Sequence, residues 1–584
     1  MSIQLLLENI RTMKKNAALL LIMILFLGCQ ETKKTEEDKV LKSQVMCAPV
    51  TTDREWYNSD NKAPLFEGLG DLDFRISTDN QIVQRYFNQG LVLAYGFNHA
   101  EAARSFYYAT KLDPTCAMAY WGYAYVLGPN YNAGMESDNY ERAYEAIQKA
   151  LSLSENKMTS KEKGLILALS KRYEETAVED RTNLDIDYYH SMGKLFQEYP
   201  KDADIGTLYA ESLMNLHPWD LWTPDGQAKE WTPEIIEVLE QVFTFNPGHP
   251  GAHHFYIHAI EQSLNPEKAL PSAQLFDEGL VPNAGHLVHM PSHIYIRTGD
   301  YHKGTLANIK AIEADSTYVT ACHAQGAYPL SYFPHNQHFM AATATLEGNS
   351  RLALYASDEI QKNANIQLMK EPGWGTIQHY YTIPFYVYVK FGKWDEILEM
   401  NNAVPELDYP SAMLHYARGM ALLGKGKVEL AKKELDALAI LATNEKMKEV
   451  TIWDINSVYD LVQIGEKVLR SEILAKEKKY LQSIALLKEA IKIEDNLNYN
   501  EPPDWFFSVR HNLGAVQLDA GNYEDAIITY QNDLQRLPKN GWALKGMGLA
   551  YLKLEDLENM KEFEERFIQA WSTADVELKG SIIQ

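Results

Sequence analysis

The chain has 584 residues and a formal net charge of −24, with a sequence pI near 5.2. That balance excludes nucleic acid as the expected partner, because a phosphate backbone needs a basic footprint. An acidic envelope keeps a protein soluble and attracts cations, divalent metals included.

Met13, Lys14 and Lys15 precede an apolar run from Ala17 to Leu27, which ends at Gly28 and Cys29. A short basic segment, an apolar run too brief to span a bilayer and a small residue at the cut describe a secretory signal. The Gly-Cys ending resembles the bacterial lipoprotein signal, with Phe26 where that signal usually carries leucine. The resemblance implies a signal peptide over residues 1–29, lipidation at Cys29 and a lipoprotein anchored to the membrane of a bacterial cell envelope. An uncleaved signal anchor is the other reading. Residues 30–46 are polar and charged with almost nothing to bury, so a disordered tether is expected over residues 30–64. Only Cys47, Cys116 and Cys322 follow Cys29. Three cysteines make no disulfide framework and none has zinc-knuckle spacing, so packing must hold the fold.

From Leu65 onward helical periodicity dominates, and long alternating strand patterns are scarce. Near the start, Gly90, Ala102, Phe106 and Pro114 are followed by Trp121 and Gly122; near the end, Gly514, Ala526, Tyr530 and Pro538 are followed by Trp542. Gly90 to Pro114 and Gly514 to Pro538 both span 24 residues. This pattern resembles the tetratricopeptide repeat, a helix–turn–helix unit with small residues where its helices cross and a proline that closes the second. The resemblance implies an all-α fold, a tetratricopeptide-type α-solenoid of stacked helix–turn–helix repeats around a concave surface. The small marker of each second helix recurs at Ala102, Ala143, Ile235, Ala269, Gly304, Ala353, Ile397, Ala431, Ser483 and Ala526, at steps of 34 residues or more. The longer steps imply extended helices or inserted loops. Leu216–Gly226, with two tryptophans and two prolines, is the largest departure and reads as a packed loop. The expected domains are N-terminal repeats over residues 65–248, central histidine-rich repeats over 249–400 and C-terminal repeats over 401–584.

Of the 17 histidines, eight fall in three short pieces, 253–258, 286–293 and 335–338. Imidazole is the commonest protein ligand for transition metals, and residues three or four apart share a helix face. In tetratricopeptide repeats the inward slots of the first helix lie 18, 15, 11 and 8 residues before the marker. Transferred to this sequence, those slots are Gly251, His254, His258 and Glu261 in one unit, then His286, His289, His293 and Ile296 in the next. A third unit offers His335, His338, Ala342 and Thr345. Seven of these twelve slots hold histidine, whereas the units marked by Ala102 and Ala431 hold none. Aligned slots predict three rows: His254 with His289 and His338, His258 with His293, and His286 with His335 and His379. Neighbouring helix axes lie ~8–10 Å apart, a gap that two inward-reaching imidazoles close around one ion.

The candidate metal ligands are therefore His254, His258, His286, His289, His293, His335 and His338, with Glu261 as a further ligand or a catalytic base. The pattern is not the metalloprotease H-E-x-x-H, since Phe255 follows His254. With no cysteine among the ligands, the expected cofactor is a divalent transition metal: zinc, iron, manganese or copper(II). Pro291 predicts a bend in its helix, or a helix start that leaves His286 and His289 in the preceding loop. His253 points away from the rows, and His99 reads as structural. His217 and its two tryptophans form either a lid over the groove or the packing of a long loop.

Three functions compete. One is a protein or peptide partner held in the concave groove of an envelope scaffold. Another is a metal-dependent hydrolase or oxidoreductase in which Glu261 accepts a proton. The third is metal capture without chemistry. Peptide grooves usually carry lysine, arginine, asparagine and aromatic contacts, so stacked histidines favour a bound metal and leave enzymatic activity undecided.

Overall fold

The computed structural model describes residues 54–58, 61–154, 158–322 and 333–583. The signal segment, Cys29 and Cys47 lie outside them. Helices follow one another in pairs, from Gln81–Tyr95 with His99–Leu112 to Gly541–Lys553 with Leu557–Ala570. The fold is an all-α solenoid of the tetratricopeptide type. Among the described residues the strands are confined to one hairpin, Thr451–Ile452 against Asn456–Ser457.

The glycine and aromatic signature at the two ends of the array has a packing cause. A methyl group on Gly90 or Gly122 would come within 2.7 or 2.3 Å of the Phe106 ring, and one on Gly514 or Gly546 within 2.3 or 2.2 Å of the Tyr530 ring. Each aromatic of a second helix is thus wedged between glycines of its own first helix and the next. Ala102, Ala353, Ala431 and Ala526 stand in the first turns of second helices and are fully buried. Two pairs carry no marker, Gly541–Lys553 with Leu557–Ala570 and Ser160–Leu169 with Thr182–Glu198. In the latter the close approach is made from the first helix, where Gly164 receives the Leu195 side chain at 2.4 Å from its would-be Cβ.

Packing also starts earlier in the chain than the tether expected over residues 30–64. The Tyr57 ring meets Tyr107 edge-on at 4.9 Å, and Tyr86 donates its hydroxyl to the Ala63 carbonyl at 2.7 Å.

The ends of the array fold back onto its middle. From the N-terminal side, the Asn283 N–H donates to the Gly68 carbonyl at 3.0 Å. From the C-terminal side, Tyr301 donates to Pro538 O at 2.7 Å and Trp542 Nε1 to Thr345 O at 3.0 Å. The Asp575 carboxylate accepts from the Ser350 and Arg351 backbone N–H groups.

Candidate metal centre

Three stretches carry the site. In the helix Pro250–Ile260, His249 caps the first turn by accepting the Ala252 N–H on Nδ1 at 3.1 Å, and Pro250 presets the first helical φ. This places His254 and His258 one turn apart, with Glu261 at the helix end. The second stretch is interrupted, with Gly285–His289 and Pro291–Thr298 joined through Met290, which keeps right-handed helical angles. Pro291 therefore opens a new helix segment, as the alternative reading had it, yet His286 and His289 are helical and not in a loop. The third is Phe333–Leu346, which carries His335 and His338.

The structure brings two histidine trios together, His254, His258 and His286 in one and His289, His293 and His335 in the other. Within each trio the candidate ligand atoms lie within 4.8 Å of one another. The trios adjoin, with ring centroids 5.4 Å apart for His258 and His293 and 5.7 Å for His286 and His289. All six side chains are buried or nearly so. Of the rows expected from slot alignment, His258 with His293 forms, and the other trio histidines regroup. His338 leaves the rows, stacking on Phe506 at 5.1 Å and meeting the His379 ring at 5.4 Å. The break at Pro291 and the in-folded aromatics re-aim the rings.

Hydrogen bonding fixes the tautomers. His254 Nδ1 donates to the Tyr95 carbonyl, and His258 Nδ1 donates to Glu261 Oε1 at 2.9 Å. The Nε2 atoms of both rings are buried without a partner, so each turns a lone pair into the site. His289 Nδ1 donates to Asn308 Oδ1 at 2.7 Å. His293 Nδ1 lies 2.6 Å from Glu261 Oε2 and 3.1 Å from Glu501 Oε2, while its Nε2 stands 2.9 Å from His289 Nε2. A carboxylate, amide or carbonyl behind the ring is the arrangement that orients metal-binding imidazoles and raises their basicity.

Burial, reinforced by neighbouring imidazoles, holds His254, His286, His289 and His335 well below the ordinary imidazole range. Burial also lowers His258, although Glu261 opposes it. His293 is the exception. Burial would depress it too, but Glu261 and Glu501 outweigh that and lift it. The proton on its Nε2 then bridges to His289, in the position a cation takes between two imidazole lone pairs.

Glu261, expected as a further ligand or a catalytic base, also groups with His293 and Glu501 as a candidate ligand set. Its two oxygens face the Nδ1 atoms of His258 and His293, behind the rings, and those histidines draw its pKa down against the effect of burial. It positions one histidine of each trio.

The front of the site is a cavity of about 60 Å³ lined by His258, His286, His293 and His335 with Asn132, Trp219, Trp453 and Asn500. That is room for a few water-sized ligands. Trp219 meets His258 edge-on at 5.8 Å, so the Leu216–Gly226 loop supplies a wall of the site. His217 instead stacks on Trp231 at 3.6 Å. Three aromatics around the histidines hold left-handed backbone angles, Phe97 at φ 54°, Trp219 at 58° and Trp453 at 54°. Each costs about 1–3 kcal/mol and persists only where surrounding packing enforces it. His253 stays out of the site, stacked on Phe243 at 4.3 Å and bonded to Ser272 and Pro247. His99 also stays out, half-buried beside Asn130.

Sequence reasoning missed Glu501, Asn308, Tyr95, Trp453 and Asn500. One signal was present for two of them. The step from Ser483 to Ala526 is 43 residues, and the surplus is the loop that delivers Asn500 and Glu501.

The sequence matches no protein-family profile and no curated protein. Among solved structures, the human IFIT1 dimer with m7Gppp-AAAA is 15% identical at a TM-score of 0.31, covering 87% of this chain and 92% of that one. The APC/C hetero-tetramer Cut9-Hcn1 is 11% identical at a TM-score of 0.27, covering 84% and 74%. Scores this low assign neither ligand nor partner to this chain.

Proposed function

We propose that the protein is a lipid-anchored envelope solenoid that binds a pair of divalent transition-metal ions, one on each histidine trio. The observation that carries this reading is the pair of buried, partnerless Nε2 atoms on His254 and His258, whose rings are locked from behind by Tyr95 and Glu261. Burying polar atoms without partners costs free energy, and a shared ion repays it at every nitrogen at once. An all-imidazole donor set suits zinc, copper(II) or iron more than magnesium or calcium.

A metal-dependent hydrolase or oxidoreductase is the second reading, favoured by the polar and aromatic cavity in front of the histidines. Three protein nitrogens per ion leave a coordination position open toward it. A protein or peptide partner remains a third reading, supported by the repeat architecture alone, because the histidines themselves are buried or nearly so beside Trp219, Trp453 and Asn500.

Elemental analysis of protein purified without added metal tests the site. About two equivalents of a transition metal are expected, and His289→Ala and His258→Ala are each expected to lower the content. Less than about a tenth of an equivalent, with titrations unchanged by either substitution, would overturn it. The anchor is tested separately by Cys29→Ala, which should move the protein from the membrane to the soluble fraction.

A further inference from the structure

A second cavity of about 60 Å³ is walled by aromatic and aliphatic side chains, Tyr386, Trp394, Tyr416, Met420, Trp505 and Ile583 among them. Lys390, the last residue of the helix Gly375–Lys390, lines it and is buried. Its Nζ meets His511 Nδ1 at 2.8 Å, the Ser581 carbonyl at 3.4 Å and the Trp542 ring centroid at 3.9 Å. None of these is an anion.

Behind His511 stands Asp533, whose Oδ2 accepts from His511 Nε2 at 2.9 Å and from Asn540 Nδ2 at 2.9 Å. A carboxylate that only accepts forces the proton onto Nε2, which leaves the Nδ1 lone pair facing Lys390. The result is a continuous buried chain, carboxylate to imidazole to amine, whose lysine lines a largely aromatic cavity that also carries Glu472, Lys476, Ser508 and Asn512. The same logic activates serine and cysteine nucleophiles, with a base beside the nucleophile and an acid orienting the base. Burial holds the Lys390 amine down at about 7, so a large share of it is neutral near pH 7. Glu472 faces the same cavity, and burial raises its carboxyl.

We propose that Lys390 is an amine nucleophile that condenses with a small apolar aldehyde held in this cavity, with His511 and Asp533 as its proton relay. The amine lone pair adds to the carbonyl carbon as the C=O π bond breaks. One nitrogen proton passes through His511 to the new alkoxide, giving a carbinolamine. The second nitrogen proton leaves with the hydroxyl as water, and the carbon–nitrogen double bond forms. Both amine protons end in that water, and no oxidant or reductant is consumed. The competing reading is a structural ammonium that staples the C-terminal tail over Trp542.

The test is reductive trapping. Protein at pH 7 is treated with propanal and cyanoborohydride, and modification is mapped lysine by lysine in digests. Lys390 is expected to be modified about ten-fold faster than any exposed lysine, whose amines are almost wholly protonated at that pH. His511→Gln is expected to slow the Lys390 reaction by about 100-fold. Accumulation on exposed lysines while Lys390 stays unmodified would overturn the proposal, as would an unchanged rate in a folded His511→Gln variant. If that variant does not fold, the wild-type profile decides alone. The metal content of the histidine site plays no part in either outcome.

Discussion

Glu261 touches one histidine of each trio, and that makes it the sharpest probe of the proposed two-ion site. Glu261→Gln keeps the shape but presents one acceptor and one donor where two anionic oxygens stood. His258 at 2.9 Å and His293 at 2.6 Å occupy different oxygens, so the amide satisfies only one of them, and both lose the charge. Removing the group behind a metal-bound histidine typically costs about 10–100-fold in affinity, or about 1.4–2.7 kcal/mol. Both ions are therefore expected to weaken. Asn308 stands behind His289 alone, so Asn308→Ala should weaken one ion by a similar factor and leave the other within about threefold. Competition titrations against a chromophoric chelator resolve the two affinities, with melting curves to verify folding. If Glu261→Gln leaves one affinity untouched, or Asn308→Ala lowers both equally, the two-trio arrangement is wrong.

Three further outcomes are expected. Gly546→Ala forces a methyl to 2.2 Å from the fully buried Tyr530 ring and should destabilise by about 1–3 kcal/mol in urea unfolding; a neutral result would mean the ring can move. His99, lowered by burial to about 4 from 6.5, binds its proton more weakly folded than unfolded. Its neutral form is accommodated fully above pH 6.5, and stability is lost as pH falls from 6.5 toward 4, by up to about 3 kcal/mol. The stability difference between wild type and His99→Gln should change by that amount across this window, and a flat difference would refute it. Trp219→Ala removes a wall of the histidine cavity; it should speed metal loss to a chelator with little change in metal content, whereas loss of the metal itself would make Trp219 part of the binding framework.

The fold was legible because its signals are local. Gly90, Ala102 and Phe106 belong to one helix pair, as do Gly514, Ala526 and Tyr530, and one unit's spacing suffices to read them. Of the pairs without a marker, Ser160–Leu169 with Thr182–Glu198 was missed because Gly164 and Leu195 exchange the small and large roles. At the site, six of the seven proposed ligands lie in the two trios, since three- and four-residue spacing on one helix needs no knowledge of the rest. Their grouping was not legible. His254 is oriented by Tyr95 from 159 residues away, and His293 faces Glu501 across 208. No periodicity encodes which distant loop returns to cover a helix.

Repeat arrays ordinarily behave as one-dimensional stacks, each unit answering only to its neighbours, so that they fray and lose units piecemeal. This chain ties its last helix pair to its middle. The rings of Trp542 and Trp571 stand against each other at 5.4 Å, the Trp571 ring reaches the backbone at Gly348, and Pro538 accepts from Tyr301. Cooperativity then extends across the array. Truncation before Gly541 should loosen not the adjacent repeat alone but the central helices that hold the histidines. A cut about 200 residues downstream of the last trio histidine should therefore be felt at the histidine cluster, so that distant repeats take part in shaping the proposed site.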